Sequence, residues 1–415
     1  MHESETDMDY GRILGLILDV GAGMIRSGAE THRVEDSLYR LAASYGFSRC
    51  NIWVVPSNIQ ATVTSPKGVC LTQIRHIRRT GVDFDRLDRL NSLSRYACTE
   101  VPAAEELAAR LREIDSAAPQ AAWKSYLAGM LAGTGFGVFF GCDPMDACAA
   151  AAASALITFL SRRLSGRESN VLILNFIISV AAECFILGAV RLGFGHHAGA
   201  VTVGVIMLLI SALGTTNGVR DLVHLDTLSG VMNITASLTG AVGIAMGIAL
   251  PLMLFGGQGA HEVMRASPDA PVGLLAAMAG SAGFAVWFNV RGKKIAYCAL
   301  GALLTWGVYL AAERWIPENF GRILTAAVFC GFYAQAMARL NKAPATIFMT
   351  VSVFPLIPGA ALYYMMYGIV TQDAAFARAK GIELLLGCFG IVFGFMVVEV
   401  ASRYIWRQKS GLAGS

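Results

Sequence analysis

An acidic residue stands inside a long apolar segment of this chain. Glu183 lies in the run VAAECF, and Asn175 lies two helical turns earlier on a similar face. A carboxylate at membrane depth is costly, so it indicates either a functional group or a hydrogen bond between helices. We predict that Glu183 carries a proton, and we name Asp221, which follows Arg220, as the second candidate for proton coupling.

Two other apolar segments contain residues that interrupt a helix. The first is the stretch 211–217, and the second is the stretch 354–360. Proline removes a backbone donor and glycine loosens a helix, so amides and carbonyls become free to bind a zwitterion. The alternative is a pair of simple kinks. The predicted substrate-binding residues are Gly214, Thr215, Asn217, Asn233, Pro355, Pro358 and Gly359.

A third polar group lies near the start of the chain. Gly28 can adopt the positive φ that ends a helix, and Ser27 and Glu30 have the spacing of a capping box for the next helix. Glu30, Arg33 and Glu35 then form a polar cluster. This cluster is interpreted either as a site or as a solvated, salt-bridged helix face.

Several classes of function lack support in the sequence. His196 and His197 are adjacent and cannot share one helix face, so no metal site is predicted. The chain has no P-loop, which argues against direct use of ATP, and no cofactor is predicted. The net charge of +4 comes without a dense basic tract, so nucleic acid is not expected as a partner.

The composition changes sharply along the 415 residues. The chain is 55% hydrophobic and 15% charged, against about 25% charged residues in soluble proteins. Charges are spread through residues 1–118, whereas long apolar runs follow. We predict a cytosolic α+β domain at 1–118, a first membrane half at 119–257 and a second half at 258–415 with a cytosolic tail.

The first domain shows both periods of regular secondary structure. Apolar residues recur at helical spacing over 10–26 and again up to about residue 45. Alternating patterns then predict three strands near 51–55, 59–64 and 69–74, with turn residues between the last two. Two further helices are predicted, at 83–97 and from Pro102. The first domain is therefore expected to be a small α+β unit.

The remainder of the chain contains ten apolar stretches long enough to suggest membrane spans. With the first domain in the cytosol, the loops on that side carry twelve Lys and Arg residues and the opposite loops carry six. This bias follows the positive-inside rule and predicts that both termini are cytoplasmic. Five plus five spans predict an inverted repeat. The spans are predicted at 121–140, 144–161, 170–190, 198–216, 228–255, 272–290, 294–312, 320–340, 345–368 and 381–402.

Residues 21–36, with the sequence GAGMIRSGAETHRVED, closely resemble the opening signature of the threonine/serine exporter family. The stretches PSNIQAT at 56–62 and LNSLSR at 90–95 and the Ile357-Pro358-Gly359 motif are also similar to that family. The chain looks like its fused form, and the resemblance covers nearly its whole length. One difference is that the first break contains Leu213-Gly214 where the family usually has Pro-Gly.

The resemblance implies a multi-pass protein of a bacterial inner membrane that exports threonine and serine by proton antiport. Its expected partners are the amino acid, protons and the lipid bilayer, and association into a homo-oligomer stays open. Two other hypotheses are retained. One is proton-coupled export of a small dicarboxylate such as succinate, and the other is a membrane-anchored enzyme or sensor that acts through the first domain.

Overall fold

The computed structural model describes residues 9–78, 80–165, 167–168, 170–210, 214, 217–218, 221–222, 225–255 and 270–411. Its N-terminal part contains four helices and one antiparallel sheet with the strand order β1-β2-β3. The α+β prediction for this part is confirmed. Its elements are α1 (Tyr10–Arg26), α2 (Thr31–Ser44), β1 (Ser48–Val55), β2 (Asn58–Thr64), β3 (Cys70–His76), α3 (Phe84–Glu100) and α4 (Ala104–Asp115).

The core of this domain follows from the periods in its sequence. Along β2 the side chains of Ile59, Ala61 and Val63 are buried, while their neighbours are partly exposed. These three side chains join the core residues of α1 and α2, including Leu14 and Leu38. Burying an aliphatic side chain of this size contributes roughly 1.5–3 kcal/mol, so one sheet face holds the helices in place.

The described residues that follow this domain are mainly helical. Among them, seven helices are long and apolar enough to cross a membrane, so the chain is a polytopic membrane protein. The helices are α5 (Ala122–Phe139), α6 (Pro144–Leu164), α7 (Val171–Arg191), α8 (Ala198–Ile206), α9 (Thr227–Phe255), α10 (Ala270–Trp287), α11 (Lys294–Ala312), α12 (Asn319–Asn341), α13 (Ala345–Ser352), α14 (Gly359–Val370) and α15 (Ala374–Gly411).

The second break is visible as a bend within one predicted span. Ala345–Ser352 and Phe354–Ile369 together pass the same test of length and composition, with a bend of 41° between them. Counting this pair gives eight candidate spans. The other two predicted spans do not pass: α8 has only nine residues, and α5 begins with the polar pair Lys124 and Ser125. The prediction of ten spans therefore stays a prediction.

The two membrane halves pack their helices in the same pairs. In the first half α5 packs on α6 and α7 packs on α9, and in the second half α10 packs on α11 and α12 packs on α15. Extensive packing of α5 against α10 joins the halves. Phe354 extends from the break into this region, with its ring stacked on Phe284 at a centroid distance of 3.8 Å. The break is thus anchored at the boundary between the halves.

Glycine permits the close approach of α5 and α10. A Cβ atom at Gly135 would lie 2.5 Å from the backbone nitrogen of Gly280. The partner atom belongs to the backbone and cannot move aside as a side chain can. Small residues at helix crossings are a general means of packing membrane helices closely.

We therefore expect Gly135→Leu to weaken the association of the two halves. Overpacking of this kind costs about 1–3 kcal/mol, and backbone contact places this case at the upper end. The measurement is the apparent melting temperature of purified protein in detergent. Gly188→Leu is the matched control, because a Cβ at that helical glycine would meet no atom within 4 Å. Equal melting temperatures for the two variants would contradict the packing argument.

Candidate functional site

The loop between α1 and α2 ends one helix and starts the next. Gly28 has φ +92°, as predicted for a helix end. The Ser27 hydroxyl donates to the carbonyl of Gly23 at 2.8 Å, which ties it back to α1. Glu30 is the N-cap of α2 but its side chain caps no amide. The predicted capping box is therefore wrong, because both side chains are used elsewhere.

Glu30 connects the N-terminal domain to the second membrane half. Its carboxylate is 1% exposed, and its Oε1 accepts a hydrogen bond from the Thr346 hydroxyl at 2.8 Å. Its Oε2 accepts from Arg33 Nε at 2.9 Å. Thr346 lies at the start of α13, the first part of the bent span. His32 Nε2 also lies 3.9 Å from Glu399 Oε1 on α15, so this contact involves two helices of that half.

Thr31 connects the same loop to the first membrane half. Its hydroxyl donates to Asp221 Oδ1 at 2.8 Å. Asp221 Oδ2 accepts from the Ser229 hydroxyl at 2.8 Å and from Asn233 Nδ2 at 3.0 Å. We call Glu30, Thr31, Asp221, Ser229 and Thr346 the junction.

Asp221 is the buried charge at the centre of the junction. Its exposure is 0%. Burial raises its pKa, the hydrogen bonds from Ser229, Thr31 and Asn233 oppose that rise, and the nearby Glu30 adds to it. The three donated hydrogen bonds favour the ionised form, and their electrostatic interactions are strengthened because Asp221 is shielded from water.

A cavity with both polar and apolar lining adjoins the junction. It has a volume of about 160 Å³ and lies between the N-terminal domain and three residues of the first half, Gly214, Asn217 and Asn233. The residues that the N-terminal domain contributes are Ile25, Gly28, Ala29, Thr31, Pro56, Thr80, Gly81 and Val82. A buried water needs only about 10–15 Å³ of such space, so the cavity has room for a small polar molecule. Three of the seven predicted substrate residues meet here. Thr215 lies outside the described residues.

The second break lies beside a different cavity. Pro358 and Gly359 line an apolar space of about 460 Å³ between α9, α14 and α15. Pro355 is buried in the short 3-10 turn Phe354–Leu356 and lines neither cavity. The second break approaches the end of α8, which precedes the first break, since a Cβ at Gly359 would lie 2.6 Å from Met207 Sδ. A single substrate site shared by both breaks stays a prediction.

Glu183 is buried between α7 and α8. The residue is 1% exposed, and its Oε2 accepts from the Thr202 hydroxyl at 2.8 Å. Its Oε1 is buried without a hydrogen-bond partner among the described residues. One turn earlier lies the buried Ser179 hydroxyl, and Asn175 donates to the Gly240 carbonyl at 3.1 Å. A polar stripe therefore follows one face of α7.

Sequence reasoning missed several of these residues. Ser179 was detectable, because Asn175, Ser179 and Glu183 are spaced four residues apart and so share a helix face. Thr31 lies within the signature at residues 21–36, but no role was predicted for it. Nothing in the local sequence singles out Ser229, Thr346 or Thr202, since their partners come from other segments.

Glu35 lies close enough to Asp226 of the first half for their charges to interact, and it accepts a backbone hydrogen bond from Val54 of β1. Burial raises its pKa most, Asp226 and Asp36 raise it further, and the hydrogen bond from Val54 opposes the rise. When a carboxyl has a raised pKa in the folded state, the protein loses stability as the pH rises from the unfolded-state pKa to the folded-state pKa. The ionised form of Glu35 therefore lowers the stability of the folded protein at neutral pH, chiefly because its charge is partly buried.

We expect Glu35→Gln to raise the apparent melting temperature at pH 7.5. The gain should shrink as the pH falls toward 4.5, the ordinary pKa of glutamate, because the wild-type carboxyl is then neutral as well. Melting curves over this pH range provide the measurement. Glu113→Gln, at an exposed position of α4 that does not act on Glu35, should change little at any pH. A gain for Glu35→Gln that is independent of pH would contradict the assigned cause.

Comparison with known proteins finds similarity along nearly the whole chain. One family model, described as a threonine/serine exporter, matches residues 15–255, and a second one with that description matches residues 273–401. A protein named "Probable threonine/serine exporter" from Mycobacterium tuberculosis is 22% identical over 416 residues, covering 92% of this chain and 77% of that protein. No solved structure matches.

Proposed function

Because the chain belongs to the threonine/serine exporter family, we propose that it exports threonine and serine across a bacterial inner membrane in exchange for protons. Family membership supports the exporter. The proposed substrate rests on the cavity at the junction, and the proposed coupling to protons rests on the buried carboxyl of Glu183. The observation that carries the proton coupling is the buried carboxyl of Glu183, whose Oε1 has no hydrogen-bond partner in the part of the chain that the structure describes.

The cavity at the junction suits a small hydroxy amino acid. The Thr31 hydroxyl and the Asn217 and Asn233 amides line the cavity and can bind a hydroxyl or carboxylate. Asp221 lies behind Thr31 and Asn233, bonded to both, and would supply a negative charge for the ammonium group. The substrate ammonium would replace one of the donors that now bind Asp221. Gly28 and Gly214 also line the cavity and contribute no side chain to it.

Glu183 is proposed as the proton carrier. A buried carboxyl is stable when neutral, and the unpaired Oε1 is the atom on which a proton can sit without breaking the bond from Thr202 to Oε2. Ser179, one turn away, offers a hydroxyl along the same face of α7. Release and uptake of this proton on opposite sides would couple transport to the proton gradient.

The proposed topology has ten spans in two inverted halves of five, with both termini in the cytoplasm. Its support is the matching set of packed helix pairs in the two halves and the excess of basic residues on one side. In this arrangement α5 and α8 are spans despite their short or polar sequences. α8 would be the first part of a broken helix, as α13 is in the second half.

The junction would let the N-terminal domain gate the cytoplasmic side. Thr31 binds the segment that follows the first break, and Glu30 binds the start of the bent span in the second half. Both residues lie at the beginning of α2, so a movement of that helix would act on both halves together. Opening toward the cytoplasm would require at least one of these hydrogen bonds to break.

Two other functions receive less support. A dicarboxylate in the junction cavity would lie near the negative charge of Asp221, which is bonded to the lining residues Thr31 and Asn233, and this disfavours succinate there. An enzymatic role for Glu30, Arg33 and Glu35 is disfavoured because Glu30 is paired with Arg33 and bound to Thr346, while Glu35 faces Asp226.

Reconstituted vesicles test the proposal directly. Vesicles with purified protein are loaded with labelled threonine or succinate, and efflux is followed after the external pH is lowered. We expect threonine efflux to accelerate and to slow again when a protonophore collapses the gradient. Succinate efflux faster than threonine efflux would contradict the substrate. A rate of threonine efflux that changes with neither the pH gradient nor the protonophore would contradict the coupling to protons.

A further inference from the structure

Tyr363 brings a phenol from the second half of the chain into the core of the first half. It lies on α14, four residues after Gly359 of the second break, and it is 2% exposed. It belongs to a buried cluster that includes Val203 and Ile206 of α8 and Ile244 of α9. The side chain therefore crosses the boundary between the two membrane halves.

The hydroxyl of Tyr363 lies against α8 at Gly199. A Cβ atom at Gly199 would lie 3.6 Å from the phenol oxygen, which places that oxygen in van der Waals range of the helix. Thr202, which donates to Glu183 Oε2, comes three residues later on α8. Residues that are three apart share one face of a helix. Tyr363 and the Glu183 carboxyl thus meet the same face of α8, about one turn apart.

The charge of Glu183 acts on Tyr363. Glu183 is the one carboxylate among the groups that interact electrostatically with the phenol, and the other two are Tyr364 and Tyr367 of the same helix. Among the described elements that pack on α7, α8 and α9 contain no titratable residue. The charged residues of α6 lie at its two ends and are Asp146, Arg162 and Arg163. The phenol of Tyr363 is therefore the titratable group that the fold brings closest to this carboxyl from the second half.

The two side chains have complementary hydrogen-bonding needs. Glu183 Oε1 is buried and has no hydrogen-bond partner among the described residues. Within the same part of the chain, no residue accepts the O–H of Tyr363. A buried tyrosine hydroxyl usually binds a partner, and an ionised carboxylate in a dry place requires donors.

We propose that Tyr363 is the hydrogen-bond donor for the ionised form of Glu183, a role that rests on Glu183 being the proton carrier. When Oε1 holds the proton, the carboxyl is neutral and needs no second donor. When the proton leaves, the phenol O–H donates to Oε1 and keeps its own proton. A hydrogen bond to the charged form favours that form, so Tyr363 is a positioning residue that sets how tightly the carrier binds its proton.

This hydrogen bond would connect the proton to the contact between the halves. Glu183 belongs to the first half, and Tyr363 follows the second break, so the bond would form and break with every proton. The ionised state would hold α14 close to α7 and α8, and the neutral state would release it. A change of one proton would in this way act on the bent span of the second half.

An infrared titration of the purified full chain tests the proposal without transport. The C=O band of the protonated Glu183 carboxyl is the band that Glu183→Gln lacks, and its loss is followed as the pH rises. Tyr363→Phe keeps the ring and removes only the hydroxyl. We expect this variant to move the midpoint upward by about one pH unit, because the ionised form loses a charge-assisted hydrogen bond and the proton is bound about tenfold more tightly.

Threonine efflux from vesicles is the second measurement. Tighter binding slows release of the proton into the vesicle, so Tyr363→Phe should need an internal pH about one unit higher to reach half of its maximal efflux. Tyr364→Phe is the matched control, because this neighbouring ring packs on Phe376 instead. Its titration and its efflux should match those of the wild type.

The outcomes separate this proposal from the proposed function. An unchanged midpoint in Tyr363→Phe would overturn the role of Tyr363 and leave Glu183 as the carrier. An equal shift in Tyr364→Phe would overturn it as well, since the effect would then not depend on the phenol beside Gly199. If the wild type shows no titrating band that Glu183→Gln removes, the proton carrier itself is wrong and the role of Tyr363 falls with it.

Discussion

Replacing Glu183 with glutamine is expected to abolish proton-driven threonine efflux and leave the protein folded. The glutamine oxygen can still accept the hydrogen bond from Thr202, while its amide occupies the place of the unpaired Oε1. The side chain then carries no exchangeable charge. Efflux from vesicles under an imposed pH gradient should fall to the leak of protein-free vesicles.

Threonine exchange provides the sharper measurement. If Glu183 acts on the proton and not on the amino acid, Glu183→Gln should still exchange external labelled threonine for internal threonine without a gradient. Glu383→Gln is the matched control, because this glutamate is paired with Lys380 at 2.8 Å and 45% exposed. Normal gradient-driven efflux by Glu183→Gln would exclude Glu183 as the carrier. If Glu183→Gln also lost threonine exchange, Glu183 would have to act in substrate binding rather than in proton transfer alone.

Asp221→Asn is expected to lower threonine efflux at least tenfold with little change in melting temperature. Asparagine keeps an acceptor for Ser229 and Asn233, and the Thr31 hydroxyl can reverse its role and accept from the new amide. The fold should therefore tolerate the change. What is lost is the negative charge for the substrate ammonium, and a loss of about 1.4 kcal/mol already means tenfold weaker binding.

Asp221→Ala should behave differently from Asp221→Asn. It removes the acceptor of two buried donors, Thr31 and Ser229, and of the partly buried Asn233. Each buried group left unsatisfied costs about 1–3 kcal/mol, so the melting temperature should fall as well. Asp19→Asn serves as the control, since Asp19 forms a surface pair with Arg75 and is 44% exposed. Wild-type efflux by Asp221→Asn would show that the ammonium group is bound elsewhere.

The elements of the N-terminal domain could be predicted because each depends on nearby residues. The alternation in β2 reports which side chains face the helices, and the period of α1 reports its buried face. Gly28 was correctly placed at a helix end, since a positive φ is a local property. The predicted capping box is wrong because both side chains bind other groups. Ser27 donates to the Gly23 carbonyl, and Glu30 accepts from Thr346, which lies 316 residues away in the sequence.

The membrane part of the chain, which contains both halves, could be predicted less completely. Apolar composition correctly indicated a polytopic protein, because any buried or lipid-facing helix must be apolar. It could not establish the number of spans. Lys124 makes α5 less apolar than the other long helices, and α8 has only nine residues. The composition also could not show that Gly214 and Pro358 line different cavities, because this depends on how the helices cross.

Glu183 illustrates what the sequence by itself determined. A carboxylate in an apolar run must be buried away from the lipid, because hydrocarbon cannot solvate it. It is then either paired with another polar group or used for function. The tertiary structure decided which of its oxygens is bonded and that Thr202 provides the bond. Likewise, only the fold brings Thr31 to Asp221 and His196 to Asp143. Apolar burial is encoded residue by residue, whereas contacts between polar groups depend on where distant helices meet.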